Sequence, residues 1–445
     1  MAPILHIPVI VLAAIILLSS GLALFRLRQP TSMPLWMMKV YTSAISPILL
    51  VAAALLVFIG WEFSSLTTML LGGTGALIYW YHIVFITRAS ETETGFTAAF
   101  GPQWEEQFPP KVRDRFLAGR YVLQLPKVAD PVFEQDLVFY TLPGTDRHLL
   151  CDIWQPPNQI SRSGLALIYL HGSAWTLLDK DFGTRTFFRH LTNQGHVVMD
   201  VAYRLFPETD MMGMVHDAKH AIAWLKAQAE VYQIDPERMV IAGGSAGGHI
   251  ALLAAYTDQN DQFTPDDLAG KDLSVQSVIS LYGPTDLSAT YYHTAQHLNS
   301  KSALSQGEEH TENGRPSWME KKMGANFKRL GFDKKVEPGM LAPTLGGTPD
   351  DVEEIYRLFS PLTHVHEACP PTLLIQGEHD IIVPVRSNIE LYERLHKAGI
   401  PAVLHLLPQC DHAFDLILPK ISPSAQNAYY DIERFLYMPI FKPVG

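Results

Sequence analysis

The chain has 445 residues, more than one typical domain needs, and a formal net charge of −11 at pH 7. That acidic balance excludes nucleic acid as a partner, because a phosphate-binding face requires a basic excess. Apolar residues make up 47% of the chain and charged residues only 18%, with the charge deficit concentrated at the N-terminus.

Three apolar segments open the chain, at 7–25, 40–61 and 66–86, and none contains Asp, Glu, Lys or Arg. Each is about the length a helix needs to cross a hydrocarbon core, roughly 20 residues. The first lacks the basic leader and small-x-small cleavage site of a secretory signal. Arg26, Arg28 and Lys39 follow the first segment; Arg88, Lys111, Arg113 and Arg115 follow the third; only Glu62 marks the short loop between the second and third. Three crossings put both basic groups on one side, which the positive-inside rule makes cytoplasmic, with the N-terminus outside and the C-terminal domain inside. The alternative is that the second and third segments form a buried or re-entrant hairpin. An ion or proton pathway needs charged groups near mid-membrane, so these segments read as an anchor in the lipid bilayer. Gly72 and Ala76 have the spacing of a small-residue packing face.

Residues 91–130, punctuated by Gly95, Gly101, Pro102, Pro109 and Pro110, read as a linker that can contribute to a cap, with amphipathic pieces near Trp104 and Phe116. From 131 to 440 the pattern is regular. Strand-like runs at 137–141, 148–154, 165–170, 196–201, 239–242, 275–282, 372–376 and 402–407 alternate with helical stretches such as 214–228, 247–256 and 385–398. This predicts an α/β domain with a mostly parallel sheet covered on both faces, the first two strands forming an antiparallel hairpin at its edge. A polar stretch rich in Gly and Pro, 288–368, interrupts the alternation and reads as a cap inserted between core strands.

The chemistry follows from three loops. Gly243-Gly244-Ser245-Ala246-Gly247 lies between an apolar strand and a helix, the context of a nucleophile elbow that exposes a serine hydroxyl. The partners of such a serine follow in the order acid, then histidine. Asp380 stands just past the strand 372–376, and His412 in the loop after 402–407. These loops converge at the carboxyl edge of a parallel sheet. His412 would take the proton from Ser245, and Asp380 would hold and stabilise the imidazole. Glu378, Asp411, Asp415 and Asp286 are alternative acids. The loop His171-Gly172-Ser173-Ala174-Trp175 follows the strand 165–170, and the N–H groups of Gly172 and Ser173 with that of Ala246 would form an oxyanion hole.

His-Gly-Ser-Ala-Trp, Tyr203-Arg204-Leu205, Gly-Gly-Ser-Ala-Gly-Gly, Gly-Glu-His-Asp and Asp-His-Ala-Phe occur in this order. Over about 130–440 the chain thereby resembles the carboxylesterase branch of the α/β-hydrolases, the group related to hormone-sensitive lipase and the isoprenylcysteine methylesterases. The resemblance implies hydrolysis of short or medium acyl esters, no cofactor, and a cap over the pocket. Ser173 stands where the family usually has glycine, and so does Ala413 after the histidine.

Other signals are discounted. His216 and His220 share a helix face as in zinc proteases, but the acid between them is Asp217 and no third ligand follows. No metal is expected. Met211, Met212 and Met214 read as packing, with an acyl-pocket lining as the alternative. Cys151, Cys369 and Cys410 read as buried thiols, with a single Cys369–Cys410 bridge left open. The expected function is a membrane-anchored ester hydrolase acting on an apolar small-molecule ester. The alternatives are a peptidase or amidase using the same residues, and a non-catalytic binding protein on a hydrolase fold.

Overall fold

The computed structural model describes residues 2–27, 33–90, 93–294 and 341–438. Four helices come first: α1 (Ala2–Leu24), α2 (Met33–Ala44), α3 (Ser46–Glu62) and α4 (Leu66–Ile86). α1 and α4 are long and apolar enough to cross a membrane. The second predicted segment is not one helix. Its first residues belong to α2, and the chain turns by 76° at Ile45 before α3 begins. The cause is Pro47: without an N–H, and with a ring that would strike the carbonyl of Ser43, it cannot continue α2 but fits the first turn of α3. The 17 residues of α3 are about 26 Å long. That is slightly less than a hydrocarbon core of about 30 Å.

α1, α3 and α4 pack through small residues. A Cβ at Gly72 would lie 3.0 Å from the Ala53 carbonyl oxygen of α3, and one at Gly75 would lie 3.3 Å from Ile16 of α1. The outer surface of the N-terminal region is apolar: of 28 exposed large hydrophobic side chains among the described residues, 20 precede residue 87. An exposed apolar surface of this extent marks a face that contacts something other than water.

The sheet that follows has eight strands: β1 (Val132–Thr141), β2 (His148–Gln155), β3 (Ala166–Leu170), β4 (Val197–Ala202), β5 (Met239–Gly244), β6 (Ser277–Leu281), β7 (Thr372–Gly377) and β8 (Ala402–Leu407). Their spatial order is β1-β2-β4-β3-β5-β6-β7-β8. β2 runs antiparallel to both its neighbours and every later pair is parallel. The inner strands are apolar on both faces, so both must be covered. Ala166, Ile168 and Leu170 enter one core, and Leu165, Leu167 and Tyr169 the other. The first core is closed by Met211–Ala227, Ala246–Tyr256 and Val385–Lys397; the second by Arg185–Asn193 and Pro423–Phe435. β1 begins five residues before its predicted start. A bulge between Glu134 and Leu137, with Asp136 at φ 57°, breaks the alternation that pattern reading follows.

Phe96, Trp104, Phe108, Leu117 and Leu125, from the stretch read as a linker, are buried in the second core. Thr94 caps the free edge of β8, its carbonyl accepting from the Leu404 N–H at 2.8 Å and its hydroxyl donating to the Leu404 carbonyl at 3.0 Å. Of the stretch read as a cap, 295–340 lies outside the described residues. Its end packs into the first core through Leu341, Tyr356 and Phe359.

Candidate active site

Ser245 sits between the end of β5 and the helix Ala246–Tyr256, with φ 53° and ψ −123°. A side-chain-bearing residue adopts such angles only where the surroundings force it. Here the forcing is steric and local. A Cβ at Gly243 would lie 2.4 Å from the carbonyl carbon of Gly247, and one at Gly247 would lie 2.0 Å from the Leu170 carbonyl oxygen. Glycine on both sides lets strand and helix meet at a sharp angle against β3. The Ser245 N–H donates to the Leu281 carbonyl at 2.8 Å, and the Ser245 carbonyl accepts from the His249 N–H at 3.0 Å.

His412 Nε2 is 2.9 Å from Ser245 Oγ, and its Nδ1 is 2.8 Å from Asp380 Oδ2. The Asp380 carboxylate is fully engaged. Oδ1 accepts from the N–H groups of Ile382 and Val383 at 2.8 Å each, and Oδ2 accepts from Gln376 Nε2 at 2.7 Å. Asn388 in turn donates to Gln376 Oε1 at 2.8 Å. The Tyr282 ring lies 4.6 Å from the His412 ring, and its hydroxyl donates to Asp415 Oδ1 at 2.5 Å.

The alternative acids are engaged elsewhere or stand apart from Nδ1. Asp415 holds Tyr282, and burial pushes its carboxyl up to about 6. Asp286 caps the helix 287–294 by accepting the Ala289 N–H at 2.9 Å. Asp411 precedes His412 but points to the N-terminal helices, accepting from Lys39 Nζ at 3.0 Å and Trp36 Nε1 at 3.1 Å. Asp380, not Glu378, stands at Nδ1.

The loop after β3 passes close to the elbow: a Cβ at Gly172 would lie 3.1 Å from the Gly244 carbonyl oxygen and 3.4 Å from Ser245 Cβ. Ser173 is buried. Tyr203 OH donates to the His171 carbonyl at 2.8 Å, so at the 2.7 Å contact between them Ser173 Oγ is the donor to Tyr203. Ser173 Oγ also accepts the Trp175 N–H at 3.0 Å. The left-handed angles of this loop fall on Ala174 and Trp175, at φ 45° and 62°. At the second departure the backbone is left-handed, since Ala413 has φ 59°. His171 is fully buried and stacked on Tyr203 at 4.7 Å, and burial lowers its imidazole to about 4, which keeps it neutral.

Pattern reading missed Gln376, Tyr282, Trp36 and Lys39. Gln376 and Tyr282 lie at the ends of predicted strands, where a polar residue at the carboxyl edge was a usable signal. Nothing local marks Trp36 or Lys39. The discounted residues have structural partners. His220 is stacked on Tyr140 at 3.6 Å and lies 3.1 Å from Asp267, while Met211 and Met214 are core. All three cysteines are buried and free. An apolar groove of about 530 Å³, lined by Leu12, Ile16, Thr42, Ile45 and Leu56 among others, opens among the N-terminal helices and includes none of the Ser245 site.

Sheet order, the reversed second strand and the serine elbow define an α/β-hydrolase. The BD-FAE family model matches residues 151–323, and the prolyl oligopeptidase family model matches residues 335–436. Esterase LipC of Mycobacterium tuberculosis is 27% identical over 62% of this chain and 59% of its own length. The probable carboxylic ester hydrolase LipM of the same organism is 28% identical over 66% of this chain and 58% of its own. The chain thus spans under two thirds of the length of these relatives. Esterase 2 of Thermogutta terrifontis superposes with a TM-score of 0.49 at 20% identity, covering 72% of this chain and 98% of that one. By these two models and these relatives the chain is similar to α/β-hydrolase carboxylesterases.

Proposed function

We propose that this protein is a membrane-anchored serine hydrolase that cleaves carboxylic esters through an acyl-enzyme. The observation that carries the reading is the unbroken line from Ser245 Oγ to His412 Nε2, and from His412 Nδ1 to Asp380 Oδ2, at 2.9 and 2.8 Å. His412 accepts the Ser245 proton as Oγ attacks the ester carbonyl, and the imidazolium is stabilised by Asp380. The tetrahedral oxyanion takes hydrogen bonds from the N–H groups of Gly172, Ser173 and Ala246, the last at a helix N-terminus whose dipole favours negative charge. His412 then protonates the departing alkoxide. Water, deprotonated by the same imidazole, hydrolyses the acyl-Ser245 ester and returns the proton to Oγ. The residues require no metal and no cofactor for these steps.

The reading assigns residues 1–90 to the membrane region, 91–130 to a connecting segment and 131–440 to the hydrolase domain with its cap at 288–368. Three crossings, by α1, α2–α3 and α4, bring the ends of α1 and α4 to one face. This agrees with Asn427 Nδ2 donating to the carbonyls of Ile86 and Arg88, at 2.8 and 3.0 Å, where α4 leaves the bundle. Flanking Arg26 and Arg88 put that face in the cytoplasm. An apolar ester is the substrate class that such a location supplies. A peptidase or amidase is the second reading, because the prolyl oligopeptidase model covers the part that carries Asp380 and His412.

The test is labelling of the detergent-solubilised full chain by a fluorophosphonate probe, wild type against Ser245→Ala, followed by matched ester and amide substrates. Labelling of wild type alone with ester turnover is expected. Unlabelled, folded wild type overturns the catalytic reading, and turnover of the amide with neglect of the ester selects the peptidase.

A further inference from the structure

The turn that bears His412 is held from the membrane side. Asp411, next to His412, is 4% exposed, and Lys39 of α2 is 1% exposed. Their contact, Nζ to Oδ2 at 3.0 Å, joins residues 372 positions apart. The other carboxylate oxygen, Oδ1, accepts three N–H groups: Trp36 Nε1 at 3.1 Å, the His412 backbone at 2.8 Å and the Ile381 backbone at 3.3 Å. Ile381 follows Asp380. One carboxylate therefore ties together the backbone of the acid loop, the backbone of the histidine loop and two side chains of α2. A second tie lies one helix away, where His82 Nδ1 of α4 is 2.6 Å from Gln409 Oε1 and His82 Nε2 is 3.0 Å from Ser43 Oγ of α2.

A tether between two regions needs no buried cation. Burying Lys39 and Asp411 carries a desolvation cost that a packed apolar contact avoids. Oriented by two donors from α2, the carboxylate fixes where the Asp380 and His412 loops stand relative to each other. The reacting distances set by those loops tolerate little error, since a misplacement of 1 Å can cost about a hundredfold in rate.

We propose that Lys39 and Trp36 are positioning residues of the Ser245 site, acting through Asp411, so that helix α2 of the membrane region is part of the active site. The inference rests on the ester-hydrolase reading above. It implies that the hydrolase domain cut free of its N-terminal helices loses turnover, not merely location.

His412 is faced by Asp380, Asp411 and Asp415, by Tyr282 and Ser245, and, beyond Asp411, by Lys39 and His379. His379 Nδ1 is 3.3 Å from Lys39 Nζ. Burial, then Lys39, lowers the His379 imidazole to about 3, so it accepts from Lys39 uncharged. Arg26 and His82 lie farther along the N-terminal helices. In this setting Lys39→Met leaves the Asp411 charge unbalanced beside His412, whereas Asp411→Asn leaves the Lys39 charge unbalanced. The first stabilises the imidazolium and the second destabilises it.

The experiment uses the full chain in detergent, first confirming that wild type labels and hydrolyses a medium-chain nitrophenyl ester. Kinetics across pH are then compared for Lys39→Met, Asp411→Asn, the double variant and Trp36→Phe. The expected result is a fall in kcat of about tenfold or more for Lys39→Met, with KM within about threefold. The acid limb of kcat/KM moves up in Lys39→Met, down in Asp411→Asn, and back toward wild type in the double variant. Trp36→Phe keeps the ring, removes one donor and lowers kcat several-fold; it serves as the test if a charge variant fails to fold. Unchanged kcat and pH limb in folded variants, or limbs moving in one direction in both single variants, overturns the proposal. Inactive wild type instead overturns the hydrolase reading on which it rests.

Discussion

Ser245 is shaped mainly by its own neighbours in the chain, whereas His412 draws its partners from several distant elements, the farthest being helix α2. At the elbow, Gly243, Gly247 and the start of the following helix determine the backbone, and β3 passes close enough to refuse any side chain at Gly247. At the histidine turn, Asp415 of the same loop is joined by Asp380, Gln376, Tyr282, Lys39 and Trp36 from three other parts of the chain. The elbow is a local steric device, and the histidine turn is a polar network. Local sterics fail abruptly when one atom is added, while a network degrades in steps, each with its own dependence on charge.

That contrast can be broken from either side. The largest effect is expected for Asp380→Asn, which leaves the network's shape but presents the wrong partner to His412 Nδ1; turnover should fall by roughly 10⁴-fold. Unfolding of that variant in a melt should stay near wild type, and a large loss of stability would mean that Asp380 supports the fold more than the site. Gly247→Ala adds a single methyl at 2.0 Å from the Leu170 carbonyl oxygen. It is expected to cost about 3–5 kcal/mol. Denaturant titration checks this, and a near-neutral result would show that strand and helix can separate at the elbow.

Asp415→Asn probes the network through pH. Burial raises the Asp415 carboxyl from 3.8 to about 6. Between those values the folded chain keeps a proton that the unfolded chain has released, so wild-type stability falls as pH rises from about 4 to about 6. The amide carries no such cost. The variant should therefore gain about 2 kcal/mol relative to wild type on going from pH 4 to pH 7. Stability measured against pH that shows no difference in slope rejects the assignment. The smallest effect belongs to Ala413→Gly, which relieves a left-handed alanine at φ 59°. A gain of about 1 kcal/mol is expected from the thermal midpoint, with turnover changed little. A loss would mean that the Ala413 methyl packs usefully beside His412.

Much of the architecture was legible because its signals are short-range. Apolar runs bounded by turn residues located all eight strands, and the alternation of strands with helices implied a covered, mostly parallel sheet. The early start of β1 was hidden by the bulge at Asp136, where one extra residue shifts the period. The break at Ile45 was hidden for a different reason. Hydropathy sums over a window and does not register that Pro47 can begin a helix but not continue one.

Sequence by itself determined the order of strands and helices along the chain, the apolar N-terminal region and the glycine-framed serine, since each depends on neighbours within a few residues. Only the tertiary structure decided which carboxylate stands at His412 Nδ1 among Asp380, Asp411 and Asp415, all of them acids near the carboxyl edge of the sheet. It also decided what Lys39 does. In the sequence Lys39 is a basic residue flanking an apolar segment; in the fold its charge is buried against Asp411. A buried charge takes its role from the partner that compensates it, and here that partner enters only when the chain has folded back over 372 positions.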